Sequence, residues 1–353
     1  MTKMLFPGAV VMAALIGLSV TEPAAAQVTA VRAGLLIDGT GADPVRNAVV
    51  LIEDGAIAQV GTDVRVPRGA TVIDLRNFTV LPGFIDAHTH LTGRVLGETG
   101  WNNSVVRDTP ADIALMGVQH ARQTIEAGFT TVRNVGARGF SDVALRDAIN
   151  DGRFLGPRMQ VAAHSLGITG GHCDTNGFVR DLFGREFDIQ DGQADGPDEI
   201  LRAIRYQVKY GADVIKFCAT GGVLSEGDSV GVQQYTFEEM RAIVAAAHLL
   251  ERRVAAHAHG NAGIKVAIRA GVNSIEHGSI LDAEAIALFL EHGTYLVPTL
   301  MAAEAVEGMV SSGALTGERA DKALFIAPLM RNSFRRAVEA GVRVALGTDV
   351  GVM

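Results

Sequence analysis

The feature that most constrains the fold is a repeated succession of helix, glycine and short strand from about residue 80 onwards. A helical stretch ends in glycine and a β-rich run follows at once, as in EAGFTTVRNVG (126–136), YGADVIKFCATGG (210–222) and RAGVNSIEHG (269–278). Glycine just past a helix end adopts the left-handed conformation that terminates the helix. The pattern predicts alternating helices and strands, which is typical of an α/β protein.

Eight apolar runs in this region have the length of a strand. They lie near residues 80–86, 130–134, 159–163, 213–218, 253–257, 273–277, 295–299 and 343–348. Helical segments separate them, most clearly at 111–127, 198–210, 236–250, 262–270, 282–292 and 319–340. Eight strand–helix units favour a (β/α)8 TIM barrel, and a doubly wound parallel sheet is the alternative. Buried parallel strands also suit a chain with 48% apolar but only 5% aromatic residues.

The residues before this region predict two further segments. Lys3, a mostly apolar stretch to Val20 and three alanines before Gln27 predict a secretory signal peptide over residues 1–26. We therefore expect a secreted or periplasmic protein with no stable membrane span after cleavage, the alternative being an N-terminal membrane anchor. Residues 27–79 alternate short strand-like runs with turns, which predicts a small antiparallel β domain before the barrel of residues 80–353.

Charge and cysteine content exclude some classes of protein. The net charge is −8 and the sequence has no basic stripe, which argues against a nucleic-acid partner. The two cysteines, Cys173 and Cys218, are far apart in sequence, and we expect single loop and strand residues rather than a disulfide framework. A small molecule or dipeptide is the expected partner, and a homo-oligomer is left open.

Metal-capable side chains recur where the predicted strands end. They are His88 and His90 (GFIDAHTHLTG), Lys216 (DVIKFC), His257 and His259 (VAAHAHG), His277 (IEHG) and Asp349 (ALGTDVG). Side chains two apart on a strand share a face, so the first two histidines point the same way. The carboxyl ends of barrel strands meet at one rim, so we expect all seven side chains to cluster there. Chance scatter is the alternative.

Lys216 has an apolar setting between Ile215 and Phe217. Burial disfavours the ammonium and lowers the pKa of a lysine. A neutral amine can add CO₂ to form a carbamate, whose two oxygens can bridge two cations. An ion pair with an acid is the ordinary alternative for a lysine on a strand.

Together these motifs resemble the amidohydrolase superfamily with a binuclear metal centre. TGGH (169–172), KFCATGGV, AHAHG, IEHG, VPTL and GTD resemble its imidazolonepropionase-like branch, which includes Xaa-Pro dipeptidases and ochratoxinase. The resemblance covers nearly all of residues 30–353. It implies two divalent metal ions, which we expect to be zinc, although manganese or cobalt suit the same ligands.

The resemblance also implies roles for individual residues. His88, His90 and Asp349 would bind one metal, His257 and His277 the other, and carboxylated Lys216 would bridge both. His259 would contact the substrate or support a ligand, and an exchange of roles between His257 and His259 is the alternative. Tyr235 and His172 would bind substrate; the alternatives are that Tyr235 packs the next helix and His172 satisfies loop backbone.

The expected reaction is hydrolysis of an amide C–N bond by a hydroxide shared between the metals, with Asp349 moving the proton to the leaving nitrogen. We expect an exported dipeptidase for Xaa-Pro or related dipeptides; N-acyl amino acids or a cyclic amide are alternative substrates. A metal-free Ser/His/Asp hydrolase is a weaker alternative, because the histidines are numerous and recur at the predicted strand ends. Relatives continue beyond residue 353, so we expect a truncated barrel and half of a β-sandwich. The alternative to an enzyme is an inactive, truncated metal-binding remnant.

Overall fold

The computed structural model describes residues 28–352, so the predicted signal peptide lies outside the described residues. The chain divides into two compact units, with the boundary between Pro82 and Gly83. Among the helices of residues 28–352, none is long and apolar enough to cross a membrane.

The first unit contains a five-stranded sheet. Its strands are β1 (Val28–Leu36), β2 (Val45–Arg46), β3 (Val49–Glu53), β4 (Ala56–Gly61) and β5 (Thr71–Val80). Four of them are antiparallel neighbours in the order β2-β1-β3-β4. β5 differs from the antiparallel expectation because it pairs with β1 in parallel. The apolar core of the sheet is small and is formed by Ala33, Leu36, Ala48 and Val50.

Seven strands of the second unit form two parallel sheets. The strands are β6 (Phe84–Thr89), β7 (Phe129–Asn134), β8 (Arg158–Val161), β9 (Val214–Cys218), β10 (Arg253–Ala258), β11 (Ser274–His277) and β12 (Tyr295–Val297). The first sheet has the order β6-β7-β8 and the second has the order β12-β11-β10-β9. These strands overlap the first seven predicted runs, although the first strand begins at Phe84 and residue 80 ends β5.

Helices alternate with these strands. They are α1 (Ser104–Arg107), α2 (Pro110–Glu126), α3 (Ser141–Asn150), α4 (Gly196–Lys209), α5 (Phe237–Leu249), α6 (Asn261–Ala270), α7 (Ala283–His292), α8 (Leu300–Ser311) and α9 (Gly317–Glu339). Capping boxes start two of them, with Thr109 and Asp112 at α2 and Thr236 and Glu239 at α5. Such a box satisfies two backbone donors that a helix end leaves unpaired. Helices α4 to α7 pack their apolar faces on β9 to β12, which leaves the strand ends free for polar residues.

The predicted eighth strand, at 343–348, is not a strand in the structure. Val344 forms an isolated parallel bridge with Leu296, and Val350 forms another with Thr89. The segment bends because Asp349 (φ 67°) and Gly351 (φ 99°) have left-handed backbone conformations. The α/β class is therefore confirmed, but the two sheets do not close into one continuous ladder.

Candidate metal centre

The predicted metal ligands line one cavity of about 880 Å³ in the second unit. They are His88, His90, Lys216, His257, His277 and Asp349, and the cavity also exposes His172 and His259. They meet because β6, β9, β10 and β11 deliver their last residues to one side of the parallel sheets. Five of the six predicted ligands are buried, with Asp349 the most exposed of the five at 7%, and His90 is partly buried.

The segment that contains Asp349 is held against the end of β6 by backbone hydrogen bonds. The amide of Asp349 donates to the carbonyl of His88 over 2.8 Å, and the amide of His90 donates to the carbonyl of Val350 over 2.7 Å. A Cβ atom at Gly351 would lie 1.7 Å from the carbonyl oxygen of His90, so only glycine fits this approach. The GTDVG sequence therefore places the Asp349 carboxylate beside the two histidines.

Asp86 makes a second link between the same two segments. Its Oδ1 accepts hydrogen bonds from the amides of His88 (3.0 Å) and Thr348 (3.1 Å). Its Oδ2 accepts from the Thr348 hydroxyl over 2.5 Å. The sequence analysis missed this residue, although the two-residue spacing in DAHTH places Asp86 on the same strand face as His88.

The donor atoms form two overlapping groups. His88, His277 and Asp349 each offer one ligand atom within 4.8 Å of the others, and so do His257, His259 and His277. His90 approaches the first group, with its Nε2 3.6 Å from Asp349 Oδ1. The grouping thus differs from the predicted division, because His277 belongs to both groups and His259 joins the second as a possible ligand.

The imidazole rings are oriented by partners at Nδ1. The pairs are His88 with Glu276, His90 with the Gly136 carbonyl, His259 with Ser279, and His277 with Thr299, at 2.6–3.0 Å. A carboxylate or carbonyl oxygen can only accept, so Nδ1 of His88 and His90 carries the proton. The Nε2 lone pairs of these two rings are therefore available to a metal.

Glu276 is a buried support for this arrangement that the sequence analysis missed. Its Oε2 accepts from His88 Nδ1 over 2.8 Å, and its Oε1 accepts from Arg133 Nη2 over 2.7 Å and from Ser274 Oγ over 2.5 Å. Burial acts to raise the pKa of Glu276, but Arg133 and His88 outweigh it and hold the pKa at about 2. The side chain is therefore a carboxylate at neutral pH.

Glu276 and His277 are neighbours in the chain, yet both contact the site. On a regular strand they would point to opposite faces. His277 ends β11 with a φ of 71°, a conformation that costs a non-glycine residue of order 1–3 kcal/mol. This turn of the backbone is what brings both side chains to the same side.

Burial keeps most of these imidazoles neutral. It lowers the pKa of His90 to about 4 and of His259 to about 3, and it places those of His257 and His277 well below the usual range. His88 is different: burial acts to lower its pKa, but Asp349 and Glu276 prevail and raise it. Neutral imidazoles and a carboxylate are the donors that a divalent transition metal takes.

Two buried atoms of the cluster lack partners. His257 Nε2 and Asp349 Oδ1 accept no hydrogen bond within residues 28–352. A buried polar atom left unpaired costs free energy. A divalent cation in contact with these atoms would satisfy them, so the residues present fit a metal.

Lys216 lines the same cavity and is 4% exposed. Burial lowers its pKa to about 8, against the attraction of the Glu276 and Asp349 carboxylates. A substantial fraction of the amine is therefore neutral near pH 8, which is the form that reacts with CO₂.

His172 lies over the second group of donors. Its ring stacks on that of His257 with centroids 4.2 Å apart, and its Nδ1 is 2.7 Å from Ser225 Oγ. Burial lowers its pKa to about 4, so the ring is neutral. The His172 ring forms part of the cavity wall.

Tyr235 does not line this cavity, and its role in substrate binding stays a prediction. The side chain is 1% exposed in the apolar core, and its hydroxyl donates to the Ala194 carbonyl over 3.1 Å. Its ring packs edge-on against Phe217, with centroids 5.9 Å apart. The side chain of Tyr235 therefore packs in the core, which agrees with the alternative of a packing role.

The two cysteines are joined, which corrects the expectation of single residues. Cys173 and Cys218 form a disulfide with Cα atoms 5.9 Å apart. It connects the loop of His172 to the end of β9, two residues beyond Lys216, and both cysteines line the cavity. Sequence separation concealed this pair because the two residues meet only after the strands assemble.

Comparison with known proteins identifies the family and several hydrolase relatives of this chain. Residues 79–353 match the model of the amidohydrolase family. The chain is 39% identical to a Xaa-Pro dipeptidase whose crystal structure has methionine bound in the active site, with a TM-score of 0.87 over 93% of this chain and 80% of that one. It is 34% identical to the ochratoxinase of Aspergillus niger, over 92% of this chain and 69% of the relative.

A third similar structure is a prolidase in complex with N-methylphosphonate-L-proline, at 30% identity and a TM-score of 0.81, over 92% of this chain and 79% of that one. All three relatives are hydrolases by name. The chain belongs to the amidohydrolase family and is a hydrolytic enzyme that acts on carbon–nitrogen bonds.

Proposed function

We propose that the chain is a binuclear metal-dependent dipeptidase that hydrolyses Xaa-Pro or related dipeptides. The observation that supports this most directly is the pair of unpartnered buried atoms, His257 Nε2 and Asp349 Oδ1, in a cavity that also contains Lys216. A carbamate formed on this lysine could supply oxygen ligands to two cations, which is why the site favours a binuclear centre.

The proposed ligands follow the two donor groups. His88, His90 and Asp349 would hold one divalent ion, which we take to be zinc, and His257 and His277 would hold the second, with His259 as an alternative ligand. Lys216, once its neutral amine has added CO₂ and lost a proton, would supply carbamate oxygens to both. Bound metals would supply a nucleophile at neutral pH and polarise the scissile carbonyl.

The side chains of this chain perform the remaining tasks. Asp349 would hold a cation through Oδ1, which accepts no hydrogen bond within residues 28–352, so its other carboxylate oxygen can take a proton and return it to the leaving nitrogen. His172 orients the substrate from the cavity wall. His259, stacked on His277 with ring centroids 4.8 Å apart, supports or replaces His257 as a ligand.

Substrate class rests on the relatives and on the cavity wall. Two relatives are named as dipeptidase or prolidase, and one of them has an amino acid bound. Ala303, Val306, Ala327 and Met330 of α8 and α9 form an apolar wall. That wall favours substrates with an apolar side chain, and it also suits N-acyl amino acids, the second candidate, since ochratoxinase is a relative.

The test is a screen of the zinc-loaded protein against a dipeptide library and a matched set of N-acyl amino acids. We expect about two metal ions per chain and turnover of dipeptides with an apolar first residue. Removal of the metals with a chelator should abolish turnover, and zinc should restore it. A chain that binds two metals but hydrolyses neither set would contradict the proposal.

We also propose that the seven strands and residues 343–348 form a (β/α)8 barrel and that the protein is exported. The bridges Leu166–Phe217, Leu296–Val344 and Thr89–Val350 support the barrel order. The signal-like residues 1–26 and the disulfide support an oxidising compartment. The N-terminal residue of the mature protein, read by mass spectrometry, tests the export: a start near Gln27 supports cleavage, and an intact Met1 contradicts it.

A further inference from the structure

Arg138 is a cavity residue to which neither the sequence motifs nor the metal site gives a role. It lies between β7 and α3 in a loop that also orients a proposed ligand, because the carbonyl of Gly136 accepts from His90 Nδ1 over 3.0 Å. The loop is fixed on both sides of Arg138. Ala137 N donates to the Ala163 carbonyl over 2.7 Å, and Gly139 N donates to His164 Nε2 over 2.9 Å.

Three arginines line the cavity, and two of them are neutralised. Arg94 makes a two-bond pair with Asp108, at 2.7 and 2.9 Å. Arg185 makes the same kind of pair with Asp191, at 2.5 and 2.7 Å. Each of these guanidinium groups is paired with a carboxylate of the same chain, so neither needs a charged ligand to balance its charge.

Arg138 has no such partner. Within residues 28–352 no carboxylate oxygen lies within 4.0 Å of it, and its one hydrogen bond runs from Nη2 to the Ser104 carbonyl over 3.1 Å. A guanidinium has five N–H donors, so four are left over in a half-buried position. Burial lowers the pKa of Arg138, and Asp108, which opposes this effect, is already bound to Arg94.

We propose that Arg138 binds the free carboxylate of the substrate and so restricts the enzyme to substrates that end in an α-carboxylate. The planar fork of a guanidinium matches a carboxylate with two parallel hydrogen bonds. The inference rests on the proposed function, because it specifies one end of the dipeptide or N-acyl amino acid. The Tyr235 hydroxyl is not free to bind this carboxylate, because it already donates to the Ala194 carbonyl.

The experiment compares alanyl-proline with alanyl-prolinamide, in which a neutral carboxamide replaces the terminal carboxylate. Wild-type enzyme should prefer the free acid. Arg138→Gln should lower kcat/KM for the acid about 10- to 100-fold, mainly through KM, since a hydrogen bond to a charged group has this effect. The amide should change less than about twofold. An equal loss for both substrates, or no loss for either, would overturn the assignment.

Arg185→Gln is the matched control, because it removes a cavity guanidinium that already has a carboxylate partner. It should keep the preference for the acid; loss of that preference would show a general field effect and overturn the role of Arg138. Melting temperatures of both variants separate folding defects from binding defects.

Calorimetric binding of L-methionine and L-methioninamide to the metal-loaded proteins keeps the inference separate from the dipeptidase proposal. Weaker binding of methionine alone in Arg138→Gln supports the carboxylate site even if no dipeptide is hydrolysed. Equal binding of methionine by wild type and variant contradicts the site even if dipeptides are hydrolysed.

Discussion

Glu276 and His88 are joined by a hydrogen bond of 2.8 Å between two side chains that are almost fully buried. The carboxylate fixes the proton of His88 at Nδ1 and turns Nε2 towards Asp349. It also neutralises Arg133, which is 17% exposed. One acidic residue therefore orients a proposed ligand and balances a cation behind it.

From this relationship we expect Glu276→Gln to weaken metal binding about 10- to 100-fold, the usual effect of losing a partner behind a ligand histidine. Metal retained after dialysis against graded chelator concentrations measures it. The control is Glu284→Gln, which removes a surface carboxylate paired with Lys265 and Arg269 and should leave retention unchanged. Unaltered affinity in Glu276→Gln would show that the contact does not support a metal.

Lys216→Ala tests the bridging role. We expect it to lose turnover and most of the second metal, because the remaining donors cannot span both positions. A short carboxylic acid such as acetate or propionate should restore part of the activity by supplying the missing oxygens. Wild-type turnover without Lys216 would refute the bridge, and so would a loss that no carboxylic acid restores while both metals remain bound.

The pKa of Lys216 leads to a separate pH prediction. With a pKa of about 8, the neutral amine rises from roughly one tenth of the population at pH 7 to roughly nine tenths at pH 9. When zinc is added back to the metal-free protein at constant CO₂ pressure, the rate at which activity returns should therefore rise through pH 8. Acetate-rescued Lys216→Ala should show no such step. A midpoint near 10.5, the usual lysine value, would mean that the amine is not desolvated.

Much of the cavity could be predicted from the sequence because parallel strands deliver their last residues to one side. The alternation of strands and helices along the chain was enough to assign the histidine and aspartate motifs to neighbouring positions. Glu276 and Arg133 could not be found in this way, because a contact between residues 143 positions apart depends on which strands are neighbours. The unusual backbone at His277 also breaks the alternation that the prediction assumes.

The structure departs from the sequence predictions where local patterns compete with tertiary contacts. Residues 343–348 have the composition of a strand, but the bend at Asp349 and Gly351 leaves only isolated bridges. Cys173 and Cys218 meet because a loop folds back over β9, a closure that sequence spacing does not indicate.

The disulfide should stabilise the fold by closing a long loop. For a sequence separation of 45 residues, the chain-entropy estimate is about 4 kcal/mol. We expect the double variant Cys173→Ser/Cys218→Ser to lose up to this amount in the free energy of unfolding, measured in urea. Reductant should destabilise the wild type to the same extent and leave the double variant unaffected. Two free thiols in the oxidised wild type would show that the bond does not form.

Tyr235→Phe distinguishes core packing from substrate binding. The variant keeps the ring that packs on Phe217 but removes the hydroxyl that donates to Ala194. Loss of one buried hydrogen bond should lower the free energy of unfolding by about 1 kcal/mol, while kcat/KM changes less than about twofold. Kinetics with alanyl-proline and a urea titration of the same preparation measure both quantities. A KM raised tenfold or more at unchanged stability would return Tyr235 to the substrate site, since a hydroxyl bound to Ala194 cannot produce that pattern.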